Sequence, residues 1–460
     1  MSTSEEISFS RDIDPKILNL LESQAPRYTS YPAANRFQEL NHTVAESWLS
    51  TLPSDKSVGL YIHIPFCPKL CWYCGCHTKM TYRYEPIETY IDLLLEELRL
   101  LATHLLRRPK LHSLHFGGGS PTILKLKDLD RLFYAIHSTF DVLPTTEIAL
   151  EIDPRAITKH EVGVYAALGF NRVSLGIQDF DEKVQKTVNR FQPFDLVSNC
   201  TSLLRESGIS NISMDLIYGL PFQTSSSIKN TIEKLLYLEP NRIAYFSYAH
   251  LPHLKKHQRL IPENALPNTL EKTWFYLIIK NLLEKSGYKS IGIDHFAKEG
   301  DDLFLSLQNK TLRRNFMGYT PLPNDYILGV GMSSVSELGH GLAQNSIHFL
   351  NYKTKIQYHC LPASRGWRYH GDDHIRKAVI NHLMCYFEVD LNEILTQQGY
   401  PLHYLDRELT HLKELETMGI VSVKNRKVQF QADLPMLVRS VAVIFDSYIH
   451  GEGKPHSKVA

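Results

Sequence analysis

An alternation of short β-rich runs with helical runs, sustained from Val58 to about Ser336, constrains this chain more than any other feature. The strand candidates are Val58–Ile64, Ser113–Phe116, Glu147–Ile152, Arg172–Gly176, Ile212–Ile217, Arg242–Tyr248 and Lys289–Ile293. Most read as apolar on both faces, the pattern of strands covered from both sides. Helices fill the gaps. Residues 85–106 carry Ile87, Ile91, Leu94, Leu98, Leu101 and Leu105 at helical spacing, and Lys127–Phe140, Leu196–Glu206 and Glu271–Lys285 repeat the pattern. Alternating β and α specifies a parallel sheet, and at this length a full or partial β/α barrel is favoured over an open sheet. Such barrels keep their chemistry at the carboxyl ends of the strands.

The flanks differ in character. Residues 1–55 are a polar extension with a short helix candidate, Ile17–Leu21, and a proline-punctuated aromatic segment, PRYTSYP, at 26–32. Taken alone, that segment reads as a loop packed on the body. After about residue 365, helices are expected over 374–386, 389–396 and 402–418. A hairpin follows, Ile420–Val423 and Lys427–Phe430 around a turn with Asn425, and then a last helix from Leu434 to Tyr448. The expected fold is α/β: an extension (1–55) closing over the barrel, a partial (β/α) barrel (56–340), and a mainly helical, winged-helix-like C-terminal domain (341–460). The apolar residues of that last part point to docking on the barrel.

Bulk properties exclude several classes. Hydrophobic residues make up 43% and charged residues 22%, enough for a packed core. A net charge of +1 provides no global field for nucleic acid, which argues against a DNA-binding regulator. The first fifteen residues are polar and acidic, unlike a secretory signal. The most apolar stretch, Tyr90–Leu106, is interrupted by Asp92, Glu96, Glu97, Arg99 and His104, so no membrane span is expected. A cytoplasmic monomer is the reading.

Four of the seven cysteines, Cys67, Cys71, Cys74 and Cys76, fall within ten residues, and the others are scattered. That is not a disulfide framework. They lie in CPKLCWYCGC, just after the first strand. Three thiolates spaced CxxxCxxC in one loop can each bind one iron of a [4Fe–4S] cubane and leave the fourth iron open. An open iron can chelate the amino and carboxylate groups of S-adenosylmethionine, whose cleavage releases a 5′-deoxyadenosyl radical. A structural zinc knot is the competing reading, but zinc prefers four N/S ligands, usually as two separated pairs, and no second pair exists. Cys76 is left open: a fourth ligand, a structural thiol or a functional one.

Polar residues also mark later strand ends. GGGSPT at 117–122 follows the second strand, and its amides could cradle a carboxylate, although a plain tight turn is the default for a glycine run. Glu151 and Asp153 end the third strand, where a carboxylate could accept from an ammonium group or cap the next helix. Gln178 and Asp179 end the fourth, and Asp215 lies late in the fifth. Arg190, as a single arginine, reads equally as a surface residue.

At these motifs the chain resembles the oxygen-independent coproporphyrinogen III oxidase (dehydrogenase) family of the radical S-adenosylmethionine superfamily. The resemblance covers nearly the whole chain. It rests on PRYTSYP at 26–32, YIHIPFCPKLCWYCGC at 61–76, FGGGSPT at 116–122, EIDPR at 151–155, GIQDF at 176–180, VNR at 188–190, MDLIYGLP at 214–221, YAHLP at 248–252, DHFA at 294–297, RNFMGYT at 314–320 and GVGMSS at 329–334. It implies that Cys67, Cys71 and Cys74 hold the cluster and Cys76 does not. It implies two S-adenosylmethionine molecules side by side, with Tyr61 and Glu151 counted among the catalytic residues. The first would contact Tyr61, Gly118, Glu151 and Val335; the second Tyr73, Gly119, Ser120, Gln178, Arg190, Asp215 and Ala249. Ser120 stands where the family has Thr, and Val335 where it has Ile.

The implied reaction converts two propionates of coproporphyrinogen III to vinyl groups, giving protoporphyrinogen IX in haem biosynthesis. A flavodoxin- or ferredoxin-like protein would supply electrons. The main alternative is a haem chaperone of the same superfamily without oxidase activity. Such relatives carry an aromatic residue in place of Cys76 and lack the PRYTSYP leader. A radical methyltransferase or haem-opening enzyme is a further alternative.

Overall fold

The computed structural model describes residues 13–53, 55–449 and 456–460. The polar first twelve residues lie outside the described residues. Six strands follow one another as parallel neighbours: β1 (Val58–Ile64), β2 (Lys110–Gly118), β3 (Asp141–Ile152), β4 (Arg172–Gln178), β5 (Asn211–Tyr218) and β6 (Arg242–Ser247). A seventh, β7 (Tyr326–Val330), lies parallel to β1 on its other side. Antiparallel strands extend both ends: His295–Lys298 and Tyr288–Ile291 beyond β6, and Val335–Leu338, Gly341–Asn345, Ala363–Arg368 and Gln38–Glu39 beyond β7. The 13-stranded sheet keeps two edges, so the barrel is partial.

Helices Glu85–His104, Leu126–Thr139, Phe194–Glu206 and Thr269–Lys285 match the periodic runs in the sequence. Three more connect strands without having been expected: Lys159–Ala167, Glu182–Thr187 and Ser225–Tyr237.

The strands are not apolar on both faces. In β4 and β5, Val173, Leu175, Ile177, Ile212, Met214, Leu216 and Tyr218 are buried, while Ser174, Gly176, Gln178, Ser213 and Asp215 between them are half-exposed. The helices seal the outer face, and the inner face lines a polar lumen. At the base of that lumen Arg172 donates to Glu147 (2.7 Å) and Arg242 to Asp301 (2.6 Å). Buried guanidinium groups are tolerated there because each meets a carboxylate.

The C-terminal part packs into the same hydrophobic core. Helix Asp373–Tyr386 contributes Ile375, Val379, Leu383 and Met384. The hairpin forms from Val421–Lys424 and Lys427–Phe430, turning through Asn425 and Arg426 at φ 50° and 66°, and Glu388–Asp390 adds a third strand. The final helical segment is shorter than its sequence pattern, a turn at Pro435–Leu437 and helix Val438–Ile444. Residues 456–460 run back along 21–25: Val459 N–H donates to Ser23 O and Ala460 N–H to Leu21 O. Among the described residues, no helix is long and apolar enough to cross a membrane.

Candidate active site

The loop that leaves β1 carries Cys67, Cys71 and Cys74 as free thiols, Cys71 buried and the other two half-buried. Two neighbouring segments hold its backbone. On one side Trp72 N–H donates to Val188 O (3.0 Å), and the Asn189 amide donates to Leu70 O (2.8 Å). On the other, His257 bonds Cys74 O (2.8 Å), Gln258 donates to Tyr73 O (3.0 Å) and Lys255 to Cys76 O (3.0 Å). Burial pushes the Cys67 thiol up to about 12, helped by its neighbours Cys74 and Cys71. A hydrogen bond from the exposed Cys76 thiol pulls Cys74 down to about 6.

The donor set suits a cluster better than a single ion. Among the described residues, no three His, Cys, Asp or Glu side chains converge on a point that would suit one metal ion. In a cubane each thiolate binds a different iron, so the sulfurs need only face a common cavity, as these three do. Arg190 Nη1 lies 3.6 Å and Arg155 Nη2 4.0 Å from Cys71 Sγ, positive charge where thiolates would gather.

Across the cavity, the glycine run packs against the cysteine loop itself. Gly119 N–H donates to Ile64 O (2.8 Å), Ser120 N–H to Phe66 O (2.8 Å) and Gly118 N–H to the Glu151 carboxylate (3.0 Å). These amides are engaged within the protein, that of Gly118 by the Glu151 carboxylate. Glycine is needed for close approach: a Cβ on Gly119 would lie 2.6 Å from Phe66 O, and one on Gly118 (φ 111°) 2.5 Å from the His63 ring.

The strand ends supply the charged groups. Burial acts to raise the Glu151 pKa, but His115 (3.2 Å) and the Gly118 amide outweigh it and hold the carboxylate below its ordinary value. Tyr61 stacks on His115 at 5.7 Å and bonds His63 Nδ1 at 3.1 Å. Burial likewise acts against ionised Asp153, yet Arg155 and Arg190 hold it at about 2. Among the described residues Asp215 has one donor, Ser174 Oγ at 2.7 Å, and burial pushes it up to about 6.

Arg190 is not a surface residue. It is buried, its Nη2 donates to Gly176 O (2.6 Å), and a Cβ on Gly176 would lie 2.8 Å from that nitrogen. Gln178 follows an irregularity in β4 and adopts φ 68°. Non-glycine residues pay for that conformation, which recurs where a side chain must be re-aimed. Asp179 faces the other way, buried against Asp181 N–H, Gln223 and Thr231, and takes no part in the cavity.

One cavity of about 540 Å³ gathers Cys67, Cys71, Tyr73, Cys74, Gly118, Gly119, Ser120, Glu151, Gln178, Arg190, Asp215 and Ala249. That size lies within the usual range for small-molecule sites. Tyr61 and Val335 are not among its lining residues; Tyr61 sits behind Glu151 through His115, and Val335 begins an antiparallel strand beside β7. Sequence reasoning passed over Arg155, Ser174, Lys255 and Gln258, which also line the cavity. Arg155 was legible in EIDPR as a partner for Asp153, whereas Lys255 and Gln258 carried no local signal.

Comparisons with known proteins assign the family. Residues 61–235 match the Radical SAM superfamily. A protein of Bradyrhizobium diazoefficiens, "Oxygen-independent coproporphyrinogen III oxidase", is 40% identical over 95% of this chain and 97% of its own length. The chain belongs to the oxygen-independent coproporphyrinogen III oxidase family of radical S-adenosylmethionine proteins. A family member of the same name from Helicobacter pylori is 37% identical over 97% of this chain and 99% of its own. The solved structure of coproporphyrinogen III oxidase from Escherichia coli, described as a radical SAM enzyme, is similar with a TM-score of 0.88 and 34% identity. The match covers 95% of this chain and 99% of that one. Membership of the family implies an iron–sulfur cluster and S-adenosylmethionine, and the cysteine loop fits both.

Proposed function

We propose that this protein decarboxylates two propionate side chains of coproporphyrinogen III to vinyl groups without oxygen, giving protoporphyrinogen IX. The observation that carries this reading is the single cavity in which Cys67, Cys71 and Cys74 face Glu151, Gln178, Arg190 and Asp215, in a chain related over nearly its full length to oxidases of that name. When bound, the cluster and S-adenosylmethionine supply a radical able to take a hydrogen atom from an unactivated carbon. Loss of that hydrogen atom, carbon dioxide and one electron turns a propionate into a vinyl group.

The chain's own residues bind, orient and exclude water. Cys67, Cys71 and Cys74 hold the cluster. As the family resemblance implies, two cofactor molecules would lie side by side, one contacting Tyr61, Gly118, Glu151 and Val335, the other Tyr73, Gly119, Ser120, Gln178, Arg190, Asp215 and Ala249. Glu151, kept ionised by His115, accepts from an ammonium group, and Asp215 accepts from hydroxyls. Arg190, whose Nη1 faces Cys71 and Asp153 and whose Nη2 donates to Gly176 O, brings positive charge to the cofactor's carboxylate. The extension closes the cavity, where Arg27 donates to Ser247 O (2.9 Å) and lines the wall. Arg27→Ala should weaken substrate affinity; unchanged affinity and turnover would remove that role.

A flavodoxin- or ferredoxin-like donor, a monomeric state and a cytoplasmic location complete the reading. The test is anaerobic incubation of reduced protein with coproporphyrinogen III and S-adenosylmethionine. Release of carbon dioxide with divinyl product is expected, while haem binding without it would favour the chaperone. Anaerobic protein should be brown and Cys67→Ala should lose its iron; zinc without iron or sulfide would overturn the cluster.

A further inference from the structure

Just after the cysteine loop, the chain brings the protein surface to within one strand of Cys67. Strand Lys79–Met80 pairs in parallel with Phe66–Cys67, and Met80 lies opposite Cys67. Thr81 N–H donates to Cys67 O (3.1 Å), which ties the outer strand directly to that residue. Cys67 lines the cavity, so the cysteine loop has the cavity on one side and this strand on the other.

The outer face is apolar and open. Met80 and Tyr82 are 50% and 82% exposed, and the Tyr82 hydroxyl lies 3.6 Å from Met80 Sδ. Lys79 Nζ sits 5.0 Å from the centre of the Phe349 ring, which joins the strand to helix Phe349–Gln357. Leu350, the next residue of that helix, is 75% exposed. Scattered apolar residues on a surface need no explanation, but a linked group with a polar rim marks an interaction site.

The rim is positive. Burial pulls the His77 ring down to about 4, and the charges that add to this, those of His63, Lys255, Lys79 and His348, are all of one sign. Among the described residues Lys79 meets an aromatic ring and Lys255 the Cys76 carbonyl (3.0 Å), and neither meets a carboxylate. Glu85 and Glu88, the carboxylates nearest to Lys79 in sequence, are engaged by Arg83 (3.4 Å) and Lys127 (2.7 Å).

We propose that this face docks the protein that supplies electrons to the cluster, a small acidic one-electron carrier seated over Met80, Tyr82 and Leu350 with its carboxylates toward Lys79. The inference rests on the cluster reading above and gives its electron donor a place. On that reading, cofactor and substrate fill the cavity side of Cys67, which leaves the outer side to a carrier. One electron leaves the carrier and enters the cluster; the carrier is oxidised, the cluster is reduced and no atom is transferred. Tunnelling slows steeply with distance, and here one pair of hydrogen-bonded strands carries the path from the surface to Cys67. Complementary charge steers the encounter, and the apolar centre holds the complex.

Association and electron transfer are read separately, with flavodoxin as the probe. Oxidised flavodoxin is titrated anaerobically into the iron-loaded wild type, Lys79→Glu and Leu350→Glu, with iron content and thermal transition reporting the fold. Lys79→Gln takes the place of the charge reversal should that variant fail to fold. Lys183→Glu, on helix Glu182–Thr187, reverses a charge on another face. Flavodoxin hydroquinone is then mixed with the same proteins, and bleaching of the iron–sulfur absorbance gives the transfer rate. Lys79→Glu should weaken binding and slow bleaching by about tenfold at low ionic strength, with the difference shrinking as salt is added. Leu350→Glu should weaken binding at every salt concentration, and Lys183→Glu should match the wild type. No binding to the wild type, equal binding by wild type and both variants of this face, or a loss confined to Lys183→Glu would overturn the docking face. Binding that depends on Lys79 in a protein that releases no carbon dioxide would reject the reaction and support the face. Flavodoxin-driven carbon dioxide release, with binding indifferent to Lys79 and Leu350, would do the reverse.

Discussion

Ser174 and Asp215 show how single residues set the chemistry of this cavity. The hydroxyl donates to the carboxylate and favours its ionised form, against burial that holds it at about 6. Removing the donor must raise that value further. If ionised Asp215 accepts from the cofactor, the acid limb of the pH profile should sit near 6 and move to higher pH in Ser174→Ala, read from kcat/KM. Cys76 can be separated from Cys67, Cys71 and Cys74, the proposed cluster ligands, in the same way. Its thiol hydrogen-bonds Cys74, a task that a serine hydroxyl retains. Cys76→Ser should therefore keep its full iron content, whereas Cys74→Ser should lose most of it, as measured by iron and sulfide analysis.

At the scale of elements, Glu97 ties helix Glu85–His104 to the turn after β7. Its buried carboxylate accepts from Gly331 N–H (2.9 Å), Asn345 Nδ2 (2.6 Å) and the Tyr352 hydroxyl. Burial outweighs these donors and raises its pKa to about 7. The folded protein thus holds a proton that the unfolded chain releases near 4.5. Between those values the native state binds more protons than the unfolded one, so this group's contribution to stability falls as pH rises and is lost above about 7. Glu97→Gln removes that dependence. The stability difference between wild type and variant should shift by on the order of 2 kcal/mol from pH 5 to pH 8, measured by chemical denaturation. An unchanged difference would place the proton elsewhere.

At the scale of the whole molecule, Arg439 joins distant parts of the chain. Its guanidinium donates to main-chain oxygens of Ala25 and Pro26 on one side and of Lys458 and Val459 on the other. Burial, followed by the neighbouring charge of Arg27, lowers its pKa to about 9, which marks the site as costly to charge and dependent on those carbonyls. Arg439→Met leaves them unpaired and should destabilise the protein by about 3 kcal/mol or more, seen as a fall of several degrees in Tm. The extension carrying Arg27 should loosen with it, so substrate affinity should fall while iron content holds.

The same three scales divide what could be read in advance. Local chemistry wrote the parallel strands, the amphipathic helices and the cysteine loop into the sequence, because hydrophobic period and ligand spacing are properties of neighbouring residues. The helices Lys159–Ala167 and Ser225–Tyr237 were missed although Thr158 with Glu161 and Thr224 with Ser227 form capping boxes at their starts. Lys159–Ala167 is short and leaves a weak period, so its cap was the stronger signal, whereas Ser225–Tyr237 also carries Ile228, Ile232 and Leu235 at helical spacing. The alternation in β4 and β5 was also present in the letters but was read as two covered faces; it takes the curved sheet to show that only the outer face is covered. Arg190 read as a surface residue because nothing nearby in sequence announces Asp153, Cys71 and Gly176. Those partners arrive from other strands, and Coulomb energy depends on distance in space. The cysteine spacing, by contrast, pointed to three ligands and an open position, because ligand spacing within one loop is a local property. Only the tertiary structure decided that the glycine amides are already engaged, that Asp179 turns away while Arg190 turns in, and that the exposed Met80 lies opposite Cys67.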